Sequence, residues 1–276
     1  MTNISIDFLV TCVNKTEQEI ISIIKKSNLK GNIIVGNQKA DNENIITKKF
    51  QDFSIKIINQ KTIGTSRNRN KILSYSTAEY VTFWDDDSIM RENWENELFS
   101  VLNCHRNENA IRFNNVSLNK KRKIKIIKKS GYVTYRKLRS FGVCGIFFKR
   151  QFLIDNNLFF NENIGPGTKI NHGEDSLLLH EYLKICKKIY HSNIILFDIQ
   201  QNDSCWFNDN PEEYFFSQGY NYHILYGNKA YVFGLYHIIK HINIGKNLSF
   251  FSKIRCFKKG VMISKQESKN DLHKQK

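Results

Sequence analysis

Three consecutive aspartates, Asp85, Asp86 and Asp87, stand directly after the apolar run YVTFW at residues 80–84. That run has the length and make-up of a buried strand. Carboxylates crowded at its end repel one another and resist burial unless a cation compensates them. In open parallel α/β sheets, ligands bind outside the carboxyl ends of the strands. Two or three carboxylates at such a place, joined by substrate phosphates, make an oxygen-rich seat for Mg²⁺ or Mn²⁺. The competing reading is a solvated acidic turn in which Asp87 or Ser88 caps a following helix.

The remaining pattern fits a sheet of this kind. Residues 4–13 form a compact apolar run suited to a buried strand. Thr16 caps a helix reaching Ser27, with Glu19 completing a capping box and Ile20, Ile23 and Ile24 on one face. Residues 32–35 and 54–58 read as the next two strands, parted by a polar loop at 38–44. Residues 69–76 read as a helix leading into 80–84. Strands alternating with helices imply a parallel sheet with right-handed crossovers. Further on, 110–118 and 194–199 read as strands, 141–148 as an apolar run and 176–187 as a helix. With two prolines in the whole chain and no repeats, no linker cuts it. Composition shifts near Tyr220, so a main domain is expected over 1–227, followed by a basic, aromatic helical extension over 228–276 with a frayed tail.

Two more segments carry chemistry. GTSRNRN at 64–70 places Arg67 and Arg69 at a helix start, where they pair with the aspartates or with a diphosphate, or form an exposed basic turn. FNENIGPGTKINHGEDSLLLHEYL at 160–183 brings glycines 165, 167 and 173 to a helix opening with Glu174 and Asp175. Acidic residues there are favoured by the helix dipole alone. They are equally suited to take a proton from a substrate hydroxyl, and the glycines would let the loop close over it.

Charge widens the choice of partners. Lys and Arg number 42 against 26 Asp and Glu, a net charge of +16. This favours polyanions, unless the visible excess of Lys, Asn and Ile reflects coding bias alone. A nucleic-acid or anionic-surface binding protein would use the charge but leave the aspartates and Gly-Glu-Asp unexplained. A sugar-phosphate nucleotidyltransferase should carry a Gly-rich phosphate loop after the first strand, and TCVNKTE offers none. Residues 229–276 hold eleven Lys or Arg against Glu267 and Asp271, interleaved with Tyr231, Phe233, Tyr236, Phe250, Phe251 and Phe257. That mixture suits either a helix lying on an anionic membrane through 229–265 or a basic flank packed on the main domain. Basic residues at 120–129 form a solvated face or touch a lipid-diphosphate. Six scattered cysteines read as reduced thiols. No secretory leader and no apolar run near ~18 residues is visible. The expectation is a cytoplasmic chain that is soluble or peripheral on the inner face of the membrane.

Taken in order, GTSRNRN, FWDDDS and GPGT…HGEDSLL resemble glycosyltransferase family 2, of the GT-A type, over about residues 4–227. QNDSCWF at 201–207 with FFSQGY at 215–220 resembles the ends of bacterial polysaccharide-building members. The resemblance implies an α/β, Rossmann-like, mostly parallel sheet flanked by helices, and inverting transfer from a nucleotide-sugar donor such as a UDP-sugar. The acceptor would be a saccharide or lipid-linked saccharide in surface polysaccharide (capsule or lipopolysaccharide) assembly. Val10 and Thr11 would border the base, and Asp85 the ribose, with Asp86 between it and Asp87. Asp87, with Asp85, would hold Mn²⁺ or Mg²⁺. Arg69 and Asn70 match the family's Arg-Asn pair near the nucleotide, and Arg67 extends that surface. Glu174 and Asp175 match the acidic pair that carries the base, with Asp175 favoured. His172 and Trp206 are acceptor-side candidates, each with a packing alternative, and His180 and His223 read as packing or surface histidines. Two departures stand out: VGNQKADNEN displaces the usual acidic residue after the second strand to Asp41, and TCVN lacks the usual proline after the first.

Overall fold

The computed structural model describes residues 4–119, 124–134, 141–200 and 210–274, with side chains to residue 268. One mixed sheet organises the chain. Strands β1 (Ile6–Val13), β2 (Gly31–Gln38), β4 (Phe53–Asn59) and β5 (Tyr80–Asp85) run parallel in the order β4-β2-β1-β5. β3 (Ile45–Lys49) adds an antiparallel edge to β4. Beyond β5 the order continues β9-β7-β10-β6. There β7 (Ala110–Ser117) and β10 (Ile189–Ile199) are parallel to each other, and β9 (Ile146–Lys149) is antiparallel to both β5 and β7. Two short strands, β6 (Ser88–Met90) and β8 (Gly131–Val133), pair antiparallel with β10.

Both faces of the sheet are covered, so its central strands are apolar throughout rather than alternating with polar residues. The two-residue period still sorts side chains between two cores. Ile6, Phe8, Val10 and Cys12 of β1 enter one core with Tyr80 and Trp84, beneath α1 (Glu17–Lys26) and α3 (Trp94–Cys104). Leu9, Val81 and Phe83 enter the other, beneath α2 (Thr65–Ser74), α4 (Arg150–Asp155) and α5 (Glu174–Cys186). Phe8 anchors the first core, meeting Trp84 and Trp94 edge-on at 5.8 and 5.6 Å.

The expected α/β sheet flanked by helices is present, and the capping box of Thr16 and Glu19 forms at the start of α1. Several boundaries differ from expectation. The polar loop at 38–44 is shorter, because Gln38 closes β2, and the stretch after it turns back as β3, an exposed edge strand too polar to show a strand signal. Helix α2 starts four residues before 69, since Gly64 supplies a φ of 127° that frees the chain to turn into it. Helix α5 starts at Glu174 rather than 176, and β10 starts five residues before 194.

The C-terminal part is helical: α6 (Pro211–Tyr226), a 3₁₀ turn (Gly227–Lys229), α7 (Ala230–Lys240) and α8 (Phe250–Lys274). Asn210 caps α6 by accepting from the Glu213 amide at 3.2 Å, with Pro211 in the first turn. Tyr214 and Phe215 of α6 share a small core with Ala230, Ile238, Phe257 and Val261 of α7 and α8. Tyr220 packs instead with Ile164, Ile170 and Leu177. Helix α6 therefore joins the three-helix unit to α5 and the loop before it. The crossing of α6 and α8 is made by glycines. A Cβ on Gly219 would lie 2.0 Å from the Phe257 carbonyl oxygen, and one on Gly260 would lie 1.9 Å from that of Phe216.

Because the obstruction is backbone on both sides, no rotamer change can relieve it. Gly260→Ala is expected to destabilise the chain by about 1–3 kcal/mol. That corresponds to roughly 2–4 °C of thermal midpoint per kcal/mol for a domain of this size. Thermal unfolding followed by circular dichroism tests this, with exposed Lys258→Ala as the unaffected control; an unchanged midpoint in Gly260→Ala would show that the helices can part.

Candidate active site

The aspartates occupy the end of β5 and the turn that follows it. In the register of β1 and β5, Thr11 lies beside Asp85 and Val10 beside Trp84. Val10 is buried and Thr11 partly exposed, so of this pair only Thr11 reaches the surface. Asp86 and Asp87 form the turn into β6, Asp86 exposed and Asp87 partly buried. Ser88 enters β6, and the next helix begins only at Trp94, with Asn93 as its cap. The helix-capping alternative for Asp87 or Ser88 is thus overturned: β6 pairs with β10, and the Gln200 amide donates to the Asp87 carbonyl at 2.8 Å.

Arg69 ties the three sequence segments together. Its buried guanidinium donates through Nη2 to Asp85 Oδ1 at 3.0 Å and through Nη1 to Asp175 Oδ1 at 2.6 Å. Glu174 Oε1 lies 3.6 Å from the same Nη1. Phe160 lies under the guanidinium, its ring centroid 5.0 Å away. Burial works against the arginine's charge, but Asp175, Asp85 and Glu174 outweigh it and hold it firmly protonated. The Glu174 carboxyl is pushed up by burial and by Asp175, against the opposing pull of Arg69. Asp175 completes its bonds through Oδ2, which accepts from the Val143 amide at 3.1 Å.

The neighbours of Arg69 in α2 face other ways, as consecutive helical residues must. Asn68 docks the helix on β2, donating to the Gly36 carbonyl at 2.8 Å. Asn70 clamps the following loop instead of reaching the aspartates. It donates to the Phe160 carbonyl and accepts from the Phe160 amide, both at 2.9 Å. Arg67 is half-exposed and pairs with Glu162 at 3.2 Å. Both line a depression with Glu43, Asn59 and Lys71, apart from the carboxylate cluster.

The glycine loop before α5 is pinned to α2. The Thr65 amide donates to the Pro166 carbonyl at 3.0 Å, and Ser66 Oγ bonds the Ile164 carbonyl. Gly173 turns into α5 with a φ of 106°. A Cβ there would stand 2.1 Å from Asn221 Nδ2, which donates to the His172 carbonyl at 2.7 Å. This contact sets α6 against the acidic pair.

The result is a cavity of about 520 Å³ with Gly142, Glu174 and Asp175 on one side and Tyr222, Phe233, Tyr236 and His237 on the other. His172 stacks on Tyr214 at 5.1 Å and is held near pKa 4 by burial. The hydroxyls of Tyr214 and Tyr222 bond the two ring nitrogens of His237 at 2.9 and 3.0 Å. These α6 and α7 residues were missed in the sequence, where only the density of tyrosines after 214 hints at a wall. Trp206 and the segment 201–209 lie outside the described residues, as do 120–123 of the basic stretch. The ring of His223 bonds Ser264 at 2.9 Å, a packing role. The described cysteines are free thiols.

Among the described residues, no three His, Cys, Asp or Glu side chains are grouped to enclose a metal. Asp87 nevertheless suits a divalent cation. No ion-pair partner meets it among the described residues, and Ser88 Oγ donates to its Oδ1 at 3.4 Å. Burial, with the charges of Asp85 and Asp86, pushes it up to about 6. A single hard oxygen donor of this kind fits Mg²⁺ or Mn²⁺ when substrate and water supply the other ligands.

This arrangement, an open sheet with an aspartate turn facing an acidic helix start, is that of the GT-A-like glycosyltransferases. The chain superposes on the crystal structure of S. aureus TarS 1-349 with a TM-score of 0.59 and 14% identity, covering 88% of this chain and 73% of that one. For the same TarS fragment in complex with UDP-GlcNAc the TM-score is 0.61 at 14% identity, covering 88% and 74%. A longer TarS structure gives 0.57 at 15% identity, and this chain covers 43% of it. No curated protein matches the chain in sequence. The family model described as "Glycosyl transferase family 2" matches residues 8–167, more than half the length. The chain belongs to glycosyl transferase family 2.

Removing Arg69 would leave Asp85, Glu174 and Asp175 facing one another without a cation. Arg69→Ala is expected to cost about 3–5 kcal/mol of stability near neutral pH. The deficit should shrink in acid, where the stranded carboxylates take up protons. Urea unfolding at several pH values measures this, and a loss that is small or independent of pH would show that the arginine does not hold the cluster.

Proposed function

We propose that the chain moves a sugar from a nucleotide-diphosphate donor, a UDP-sugar, to a hydroxyl of a saccharide or lipid-linked saccharide, with inversion at the anomeric carbon. The observation that supports this reading is the pair of bonds from Arg69 to Asp85 and Asp175, since they join on one guanidinium the carboxylate this reading assigns to the donor and the one it assigns to the acceptor. The UDP-GlcNAc bound by the similarly folded TarS fragment supports a nucleotide-sugar donor. Assembly of a surface polysaccharide, at the inner face of the membrane, is the setting this reading favours.

On this reading Thr11 and Asp85 border the nucleoside, and Asp87 would hold a divalent ion beside the donor's diphosphate. Bound there, the ion would neutralise charge developing on the departing nucleoside diphosphate. The partly exposed Asp175 lines the cavity and accepts the proton of the acceptor hydroxyl. The hydroxyl oxygen bonds to the anomeric carbon from the side opposite the phosphate, the carbon–oxygen bond to the diphosphate breaks, and its electron pair leaves with the nucleotide. Arg69 and the Val143 amide fix the Asp175 carboxylate in one orientation. Glu174, buried and raised in pKa, adds to the field around it.

Calorimetry with a panel of nucleotide sugars, with and without Mn²⁺, tests the donor. Asp87→Ala should abolish the Mn²⁺-dependent part of binding while the fold is kept, and full binding in that variant would reject Asp87 as the metal ligand. Asp175→Asn keeps the carboxylate's shape and its contact with Arg69, so donor binding should persist. Turnover should fall by ~10² or more, and normal turnover would move the base to another residue.

A further inference from the structure

Helix α7 carries an apolar strip on the side turned away from α6 and α8. Ala230, Gly234 and Ile238 face inward and are buried. Val232, Leu235 and Ile239, spaced i, i+3 and i+7, face outward with 72, 46 and 56% of their surface exposed, and Tyr236, 62% exposed, stands between this strip and the cavity. A soluble helix normally reverses this pattern and puts charge on its outer face. Phe251 and Met262 on α8 are exposed as well, among exposed Arg255, Lys258, Lys259 and Lys265. From Lys229 to Lys265 the chain has eight Lys or Arg and no Asp or Glu.

We propose that α7 lies in the interface of an anionic lipid bilayer, with Val232, Leu235 and Ile239 entering the headgroup–acyl boundary and the surrounding cations meeting lipid phosphates. An apolar strip set among cations is the physical signature of such a helix. The charge argues against a second copy as the occupant, since pairing this face with itself would bring together two segments, 229–265, that each carry eight cations and no acid. No helix among the described residues is long and apolar enough to cross a membrane, so contact would be confined to the surface.

The position of the strip has a consequence that rests on the transferase reading above. Phe233, Tyr236 and His237 of the same helix wall the cavity that holds Asp175. A bilayer lying against α7 therefore lies at the mouth of the acceptor side. The substrate class this selects is a membrane-borne acceptor, presented with its hydroxyl near lipid headgroup level, in preference to a freely diffusing sugar.

The test floats the full chain with phosphatidylcholine vesicles, either pure or containing about one third phosphatidylglycerol. Binding is expected to the anionic vesicles alone. It should weaken as salt rises from about 0.1 M to about 1 M, over which the Debye length falls from about 10 Å to about 3 Å. Val232→Glu, Leu235→Glu and Ile239→Glu together should lower partition by about tenfold or more. The thermal midpoint and UDP-sugar binding should be unchanged, since these side chains touch neither core nor cavity. Failure of the wild type to float, or equal flotation of the triple variant, overturns the proposal. So does a wild-type dimer, seen by light scattering, that the variant dissolves while vesicle binding stays the same. Flotation needs no nucleotide sugar, so its outcome is read separately from that of the transfer assays.

Discussion

A buried arginine answering three carboxylates is the constraint around which this molecule is arranged. Arg69 comes from α2, Asp85 from the end of β5, and Glu174 and Asp175 from the start of α5. Although α2 runs directly into β5, α5 comes far later in the chain, and each group would be costly alone: a cation without solvent, or anions without a counter-charge. Together they compensate one another, and they can do so only if the loop at 160–173 folds over α2. Asn70, Ser66 and Thr65 secure that loop with side-chain and backbone bonds. The helix that carries the arginine thus also fixes the approach of its partners.

The sheet explains why this cluster lies where a substrate can reach it. Four parallel strands end together on one side of the molecule, and β9 then runs against β5. Where the direction changes, the chain leaves β5 through the Asp86-Asp87 turn instead of entering a helix. β6 returns at once to pair with β10, far along the sheet order from β5. That detour keeps the aspartate turn from being covered by a crossover helix. It also explains the bury-and-expose pattern across Asp85, Asp86 and Asp87, since neighbouring residues of a strand and its turn point different ways.

How much of this could be read from residues alone depended on the range of the interaction involved. Buried strands announce themselves by apolar runs, and the α1 cap by Thr16 and Glu19, because each signal is local. β3 was missed, since an edge strand with four exposed residues and two lysines carries no apolar alternation. Arg67, Arg69 and Asn70 looked alike as a basic, polar cluster, yet the helical turn sends only Arg69 to the carboxylates. The far wall of the cavity was illegible, because Tyr222, Phe233 and His237 come to face Asp175 across it only through the packing of α6 on α5, set by the glycine at 173. The aspartates and Gly-Glu-Asp were legible for the opposite reason: concentrated charge beside apolar sequence has few inexpensive explanations.

Glycine at the crossing of α6 and α8 has a mechanical corollary. With Gly219 against the Phe257 carbonyl and Gly260 against that of Phe216, main chain rests on main chain at these two points, and no side chain there can slide or re-interdigitate. Shear between packed helices works through such side-chain layers. Sliding of one helix along the other is resisted at this crossing, where it would drive main chain into main chain. The cavity wall built on α6 is thus seated on the backbone of the long helix α8, which gives the side of the pocket opposite Asp175 a stiff backing.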